Sequence, residues 1–564
     1  MKEGIKELIR RWALSNAIRH EGAANTNAVV GKLIAEKPEL KENIGEMTQS
    51  VEEEVKKINE LSLDEQKNQL EELGAPERPE KEEEKGLPEL PELDRYETIV
   101  TRFAPNPNGP LHLGHVRTAL LSHEYARKHD GKFILRFEDT NPANARDEMY
   151  DLIRDDLKWL GVNWDEEYLQ SNRLEKYYNY AEELLSEGKA YICTCKPSEF
   201  KELRDKSKPC QCRELDSEDQ LERWQKMLNN HFKEGEAVVR IKTDLESSNP
   251  ALRDWPALRI STSEHPRVGG EYRVWPLYNF SVSIDDHEMG VTHVIRGKEH
   301  EVNEKRQKQL FNHLNWDYPT AVHHGRLSIS GVILSKTRVM EGIQEGKFDG
   351  FDDVRLGTVA AVRRRGFTPE AIKKSILKIG VTSVDSTLSM DTLSTENRRI
   401  IDEESNRYYF VKDPIELTVK ETPEINEAKI RLHPDDSDRG NRVLPIDSDN
   451  GFITVKIPEK DFLDIEEGDV VRLKDLLNFK LISKNPPEAK FDSFEVIMDS
   501  TKIQWVSSGG VDTTVVRPDG SLDEGLSEPE VSKLEPGTII QFERFGFVKL
   551  EETKPKIKAI YTHH

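Results

Sequence analysis

The sequence predicts a multidomain chain, with an α/β core on a parallel sheet, a helical module ahead of it and an all-β region behind it. Three observations carry that expectation. Residues 1–74 place Leu, Ile, Ala, Glu and Lys at helical spacing; from residue 98 strand-like and helix-like stretches alternate; after about Asp402 the helical signal gives way to short apolar runs cut by Gly, Pro, Asn and Asp. A chain of 564 residues has room for three or more modules, since single cores rarely grow beyond roughly 250–300 residues.

In the helical module, residues 1–74, Leu8, Ile9 and Ala13 form one apolar stripe. Residues 75–97 (APERPEKEEEKGLPELPELDRYE) combine prolines with a dense acidic run, which disfavours packed helix and reads as an extended linker. Residues 98–103 are β-rich, residues 113–128 have helical spacing through Val116, Leu120, Leu121 and Tyr125, and residues 133–137 are β-like again. A right-handed crossover sets two such strands side by side, with a ligand expected beyond their carboxyl ends. In the β-rich region, 452–457, 470–473 and 547–550 are the clearest strands.

With 82 basic against 105 acidic residues and a net charge of −23, any nucleic-acid surface must be a local patch on a repelling body. The sequence has no apolar run of about 18 residues and no secretory leader pattern, so a cytoplasmic protein without a membrane partner is expected. All four cysteines, Cys193, Cys195, Cys210 and Cys212, fall within one short stretch. In a reducing compartment that clustering favours metal ligation over a disulfide, and two close pairs suit a structural Zn²⁺ with four thiolates.

The segment RFAPNPNGPLHLGH, residues 102–115, runs from a strand through a Pro/Gly/Asn loop to the start of a helix and delivers two histidines there. Unpaired N–H groups and the positive dipole end favour phosphate, and imidazole donors add hydrogen bonds to charge growing on a triphosphate. His112 and His115 are therefore candidate transition-state stabilisers, and Gly114 leaves room for a flat base against the backbone. Alone, an HxxH at a helix start is as readily a pair of capping histidines. Far downstream, residues 331–339 (GVILSKTRV) offer Lys336 on a flexible loop, a cation suited to the α-phosphate and departing pyrophosphate.

The HLGH string resembles the HIGH signature of class I aminoacyl-tRNA synthetases, and APNPNG with RFEDTNP resembles their glutamyl/glutaminyl branch; LSK resembles the KMSKS loop, with Ile333 and Thr337 departing from it. The likeness extends through residues 275–300 (WPLYNFSVSIDDHEMGVTHVIRGKEH) and beyond Arg364. It implies a Rossmann-type catalytic core split into 98–190 and 274–345, an inserted acceptor-end-binding domain at 191–273 that carries the cysteines, a helical connecting domain at 346–402, and all-β anticodon-binding barrels at 403–564 of the archaeal and eukaryotic type. It implies ATP with Mg²⁺, glutamate, and tRNA(Glu) as acceptor, with tRNA(Gln) left open as a second one, and a monomer is expected. Within a glutamate pocket, Arg102 would meet the side-chain carboxylate, Arg296 the α-carboxylate and Glu138 the ammonium group, with Ala104, Asn106 and Tyr278 at further pocket positions.

For contact with tRNA the best local basic stretch is Arg363, Arg364 and Arg365 with Lys373 and Lys374. The amino-terminal helices resemble the tail domain of some tRNA-dependent amidotransferases, which points to a contact with the tRNA body. The rival readings are a glutaminyl-tRNA synthetase, a small-molecule nucleotidylyltransferase with the same phosphate-binding turn, and a non-catalytic binding module.

Overall fold

The computed structural model describes residues 3–19, 22–37, 40, 44–74, 86–497 and 500–564, in two compact units, Met1–Gly86 and Leu87–His564. The first unit holds helices α1 (Glu3–Arg19), α2 (Thr26–Glu36), α3 (Ile44–Asn59) and α4 (Leu63–Leu73). Ile9, Trp12, Ala13 and Ala17 of α1 bury against Val29 and Leu33 of α2 and Val51, Val55 and Ile58 of α3, with Leu8 at the rim. Ser62 and Glu65 cap α4 reciprocally, which satisfies backbone N–H groups at the helix start.

Of the expected linker, residues 75–85 lie outside the described residues, and residues 87–97 are no linker. They pack on the second unit. Leu90 is buried with Ile99, Leu121, Tyr125 and Ile295, His293 Nε2 lies 2.9 Å from the Pro91 carbonyl, and Thr320 donates to Glu92 at 2.7 Å. The proline spacing that argues against helix here serves a segment whose apolar residues are covered by the sheet.

The catalytic sheet is built from β1 (Val100–Phe103), α5 (Leu113–Lys128), β2 (Lys132–Phe137), α6 (Asp147–Trp159), β3 (Glu166–Leu169) and α7 (Leu174–Ser186). The chain then leaves for an inserted sheet of β4 (Ala190–Cys193), β5 (Val238–Ile241), β6 (Pro256–Ile260) and β7 (Val274–Pro276), in which helices α8 (Pro197–Asp205) and α9 (Ser217–Leu228) separate β4 from β5. All pairs in the inserted sheet are antiparallel. Because β7 completes it, the return to the catalytic sheet begins at α10 (Tyr278–Glu288), later than residue 274. There follow β8 (His293–Gly297), α11 (Glu301–His313) and β9 (Thr320–His324). The catalytic sheet has the order β3-β2-β1-β8-β9 and every pair is parallel. The direction of winding reverses between β1 and β8, the switch point where such sheets take a ligand.

Beyond lie β10 (Leu327–Ser330), α12 (Lys336–Gln344), α13 (Val359–Arg364), α14 (Pro369–Ile379), β11 (Ser386–Ser389) and α15 (Met390–Ile401). Val359, Val362, Phe367, Ile372, Ile376 and Leu393 share one core with Leu113, Val116 and Leu120 of α5 and Phe133 and Leu135 of β2. Residues 346–402 are thus packed into the first half of the catalytic domain, where the sequence suggests a separate connecting domain. From Arg407 onward the strands form two seven-stranded sheets and a two-stranded antiparallel pair, Glu427–Arg431 with Asn441–Pro445. The chain enters the first at Arg407–Tyr408 and Phe410–Lys412, builds the second from Pro414–Lys420 to Thr501–Ile503, and returns to the first, ending on Ile557–His563.

Candidate active site

His112 is the N-cap of α5, and its Nδ1 accepts a hydrogen bond from the Gly114 N–H at 3.1 Å. That bond assigns the ring proton to Nε2, so the free edge of the imidazole is a donor. His115 stacks on it, with ring centroids 3.6 Å apart and planes 22° from parallel, and its Nδ1 is buried with no partner among the described residues. The space over Gly114 is taken by the His112 ring: a Cβ there would lie 3.0 Å from the ring and 3.4 Å from the Leu327 carbonyl.

Lys336 does not sit on a loose loop. It is the first residue of α12, behind the N-cap Ser335. Its Nζ donates to Asn108 Oδ1 at 2.7 Å, and its methylenes pass over Gly109, where a Cβ would meet Lys336 Cδ at 3.4 Å. Asn108 and Gly109 belong to the turn that leads into His112, so the two distant signatures meet. Burial pushes the His112 imidazole down to about 4, with the charge of Lys336 adding to it; burial, His112 and Lys336 hold His115 well below its usual value. Burial also holds the Lys336 amine below its ordinary value. Arg326 lies close enough to lower His112 slightly further and is exposed.

Several of the residues expected to line an amino-acid pocket also come close to one another. Arg102, only 4% exposed, faces Asp286 with Nε 3.3 Å from Oδ1. Arg136 is fully buried and holds Asp286 Oδ1 at 2.8 Å and Glu138 Oε1 at 3.3 Å. Burial pushes the Asp286 carboxyl up, but Arg102 and Arg136 together outweigh it and keep it low. Burial raises Glu138 to about 7 against the pull of Arg136 and Arg102. Arg296 donates to Gln307 Oε1 at 2.8 Å and to the Tyr318 hydroxyl at 3.0 Å. The Tyr278 hydroxyl lies 3.2 Å from His300 Nδ1, and its proton is held tightly by burial and by Glu138, against the opposing pull of Arg102 and Arg296. Asn106 presents a buried Oδ1 with no partner among the described residues, and Ala104 is half-buried on the same loop.

Asp286, Arg136, Asn108 and the Gln307–Tyr318–His300 set escape the sequence reading. For Asp286 the signal is two adjacent carboxylates directly after the apolar positions Phe280, Val282 and Ile284, since a buried acid needs a cationic or hydrogen-bonding partner. The basic stretch expected to meet tRNA is largely used inside the protein. Arg364 makes a two-pronged contact with Glu551 at 2.5 and 3.2 Å, Arg365 is buried against the Thr562 carbonyl, and Lys373 pairs with Glu124 at 2.8 Å. Lys374 lies 3.9 Å from Glu396. Arg363 is exposed, with its guanidinium over Trp159.

The four cysteines come together between the end of β4 and a short turn of helix at Gln211–Glu214. Their sulfurs all lie within 4.8 Å of one another, and Cys195 and Cys212 Sγ are 3.8 Å apart. Tetrahedral zinc with Zn–S of about 2.3 Å requires S···S edges of about 3.8 Å, so the donor set fits that ion. The Thr194 N–H points at Cys212 Sγ at 3.4 Å, the kind of outer contact that steadies a thiolate ligand.

A doubly wound parallel sheet with two helix starts opening beside its switch point defines the nucleotide-binding α/β class. The family model for the catalytic domain of class I tRNA synthetases (E and Q) matches residues 98–403, and two models for the anticodon-binding domain of the same synthetases match 405–495 and 482–551. Glutamate–tRNA ligases of Thermococcus kodakarensis and Pyrococcus abyssi are each 50% identical, covering 100% and 99% of this chain and 100% of their own. That of Pyrococcus furiosus is 49% identical over 99% of this chain and 100% of its own. The chain belongs to the class I aminoacyl-tRNA synthetases of the glutamate and glutamine type. It is therefore an ATP-dependent ligase with tRNA-binding regions behind its catalytic domain. Among the described residues no helix is long and apolar enough to cross a membrane.

Proposed function

We propose that this chain activates L-glutamate with ATP and transfers the glutamyl group to the 3′ end of tRNA(Glu). The observation that supports the reading is the Lys336–Asn108 contact of 2.7 Å, an ammonium held against the turn that leads to both imidazoles. The named activity of relatives matching the whole chain supports the choice of amino acid. So does the pocket, since a dicarboxylate with one ammonium asks for two cations and one acid. Arg102 would take the side-chain carboxylate, Arg296 the α-carboxylate and Glu138 the ammonium, with Tyr278, Asn106 and Ala104 shaping the remainder.

In the first step a glutamate α-carboxylate oxygen attacks the α-phosphorus in line, a new O–P bond forms, and the bond to the β-phosphate oxygen breaks to release pyrophosphate. His112 and His115 donate to the charge that grows on the transferring group, while Lys336 follows it onto the leaving pyrophosphate. Magnesium arriving with ATP neutralises part of the triphosphate charge. In the second step the terminal ribose hydroxyl attacks the glutamyl carbonyl, the bond to AMP breaks, and AMP leaves. The four cysteines would hold a structural Zn²⁺ that fixes the insertion near the acceptor end, since four protein ligands leave no open position for catalysis.

His115→Ala and Lys336→Ala are expected to cut glutamate-dependent ATP–pyrophosphate exchange about a hundredfold or more while leaving the melting temperature near that of the parent. Unchanged exchange in both removes these roles. Charging of purified tRNA(Glu) against tRNA(Gln), with glutamate and glutamine in turn, settles the substrates.

A further inference from the structure

Both elements assigned to ATP pair with one short segment, residues 355–359, which runs from a turn at Arg355 through Leu356, Gly357 and Thr358 into the first residue of α13. On one edge the Gly357 N–H donates to the Ile333 carbonyl at 2.9 Å and the Ile333 N–H to the Arg355 carbonyl at 3.3 Å, three residues before Lys336. On the other edge the Leu113 N–H donates to the Gly357 carbonyl at 3.1 Å and the Val359 N–H to the Leu111 carbonyl at 3.0 Å, bracketing His112. In ladder terms, Ile333 pairs in parallel with Leu356, and His112 antiparallel with Thr358. Gly357 thus gives its N–H to one signature and its carbonyl to the other.

The side chains divide the same way. Leu356 buries with Val339 and Ile343 of the helix that Lys336 opens, whereas Val359 buries with Leu111, Leu113 and Val116 beside His112. Two polar side chains anchor the segment: Arg355, which holds Asp353 and the Lys347 carbonyl at its outer end, and Thr358, 3% exposed, beside His112. Its hydroxyl donates to the Phe351 carbonyl at 2.5 Å and accepts from the Ala361 N–H at 3.1 Å, capping α13. The backbone of the same residue pairs with His112.

We propose that Thr358 is a positioning residue for adenylate formation: by anchoring residues 355–359 it sets the gap between the His112–His115 pair and Lys336. The inference rests on the reading that those three residues handle the triphosphate. Besides the side-chain contact of Lys336 with Asn108, the gap is spanned by the backbone hydrogen bonds and packing of this segment, and misplacing reacting groups by about 1 Å costs on the order of a hundredfold in rate. The glutamate pocket stands on β1, β2 and β8, apart from this segment, so the amino acid's KM is the internal control.

The test is ATP–pyrophosphate exchange on Thr358→Val, Thr358→Ala and Thr358→Ser, each alone and combined with Lys336→Ala. The Val variant keeps the shape and loses the hydroxyl; the Ala variant serves if the added methyl against the Phe351 carbonyl prevents folding. Expected is a fall in kcat of about ten- to a hundredfold with the KM for glutamate unchanged, recovery in Thr358→Ser, and a further loss under about twofold in the Lys336→Ala background, since groups acting through one another are not additive. The inference is overturned if the hydroxyl-free variants keep the parent kcat while Lys336→Ala loses activity. It is equally overturned if they lose the same factor with and without Lys336, or if KM for glutamate rises in step. Should Lys336→Ala itself keep full exchange, the reading of the site fails instead.

Discussion

Glu138 offers the sharpest pH test of the pocket. With 12% of its side chain exposed, it carries a carboxyl raised by burial from 4.5 to about 7 in spite of two neighbouring arginines. A move of that size corresponds to about 3 kcal/mol of preference for the protonated form. Between 4.5 and about 7 the folded protein keeps this proton while the unfolded chain has lost it, so this group's contribution to stability falls as pH rises through that window. Capture of the substrate ammonium needs the opposite state. The ionised fraction climbs from about one tenth at pH 6 to about nine tenths at pH 8, and kcat/KM for glutamate in pyrophosphate exchange should rise about tenfold over the same range. At ATP well below saturation the ionisations of the free protein govern the profile, and His112, held at about 4 there, adds no slope. Glu138→Gln should flatten the profile and lower its plateau about ten- to a hundredfold, the worth of a charge-assisted hydrogen bond. A flat profile in the parent, or a slope that survives in the variant, would refute the assignment.

Asp286→Asn should leave Arg102 and Arg136 facing each other with less compensating charge. Breaking a buried ion pair costs about 3–5 kcal/mol, so calorimetry should show a clear drop in melting temperature together with a raised KM for glutamate; an unchanged melt sinks the account. Metal analysis of the purified protein should find one zinc per chain, and Cys193→Ser or a strong chelator should remove it. The tRNA-charging rate should then fall further than pyrophosphate exchange, because the cysteines support the inserted sheet and not the parallel one. Equal losses in both reactions would contradict that division.

Helix α5 is legible in the sequence at both ends, because a Pro/Gly turn and a capping histidine open it, apolar residues at helical spacing fill it, and Arg127 and Lys128 close it. The alternation of strand and helix likewise exposes the parallel sheet, since crossover connections leave few topologies open. What stays hidden is pairing between distant residues. Arg364 and Glu551 are 187 positions apart, so a basic run reads as an RNA-facing patch until the carboxy-terminal strands arrive to neutralise it. The stretch around the prolines at 88 and 91 resembles a linker for the same reason: Ile295, which packs with Leu90, and Thr320, which bonds Glu92, come from much later in the chain. The pocket is half legible. Arg102, Glu138 and Arg296 sit at strand ends where a ligand is expected, whereas Asp286, which faces Arg102, lies in the last turn of α10 and reveals itself only through the neighbours it faces.

If Lys336, His112 and His115 handle a triphosphate as proposed, binding it should change their protonation. Lys336 opens a helix, where the dipole disfavours a cation, and its amine is held below its ordinary value by burial; across the cleft, burial and the same charge keep both imidazoles neutral. Each feature costs stability in the empty protein and is relieved by a triphosphate, whose negative charge favours the protonated form of all three groups. ATP binding should therefore draw protons onto the histidines. Titration calorimetry with Mg–ATP at pH 6, without glutamate, should give heats that depend on the ionisation enthalpy of the buffer, reporting an uptake of a sizeable fraction of one proton that fades by pH 8. In Lys336→Ala the imidazoles of the free protein relax upward, so less of the change remains for ATP to drive and the uptake should shrink. Heats independent of buffer at pH 6 would mean that the triphosphate does not come close to the imidazoles, and the shared cleft would lose its meaning.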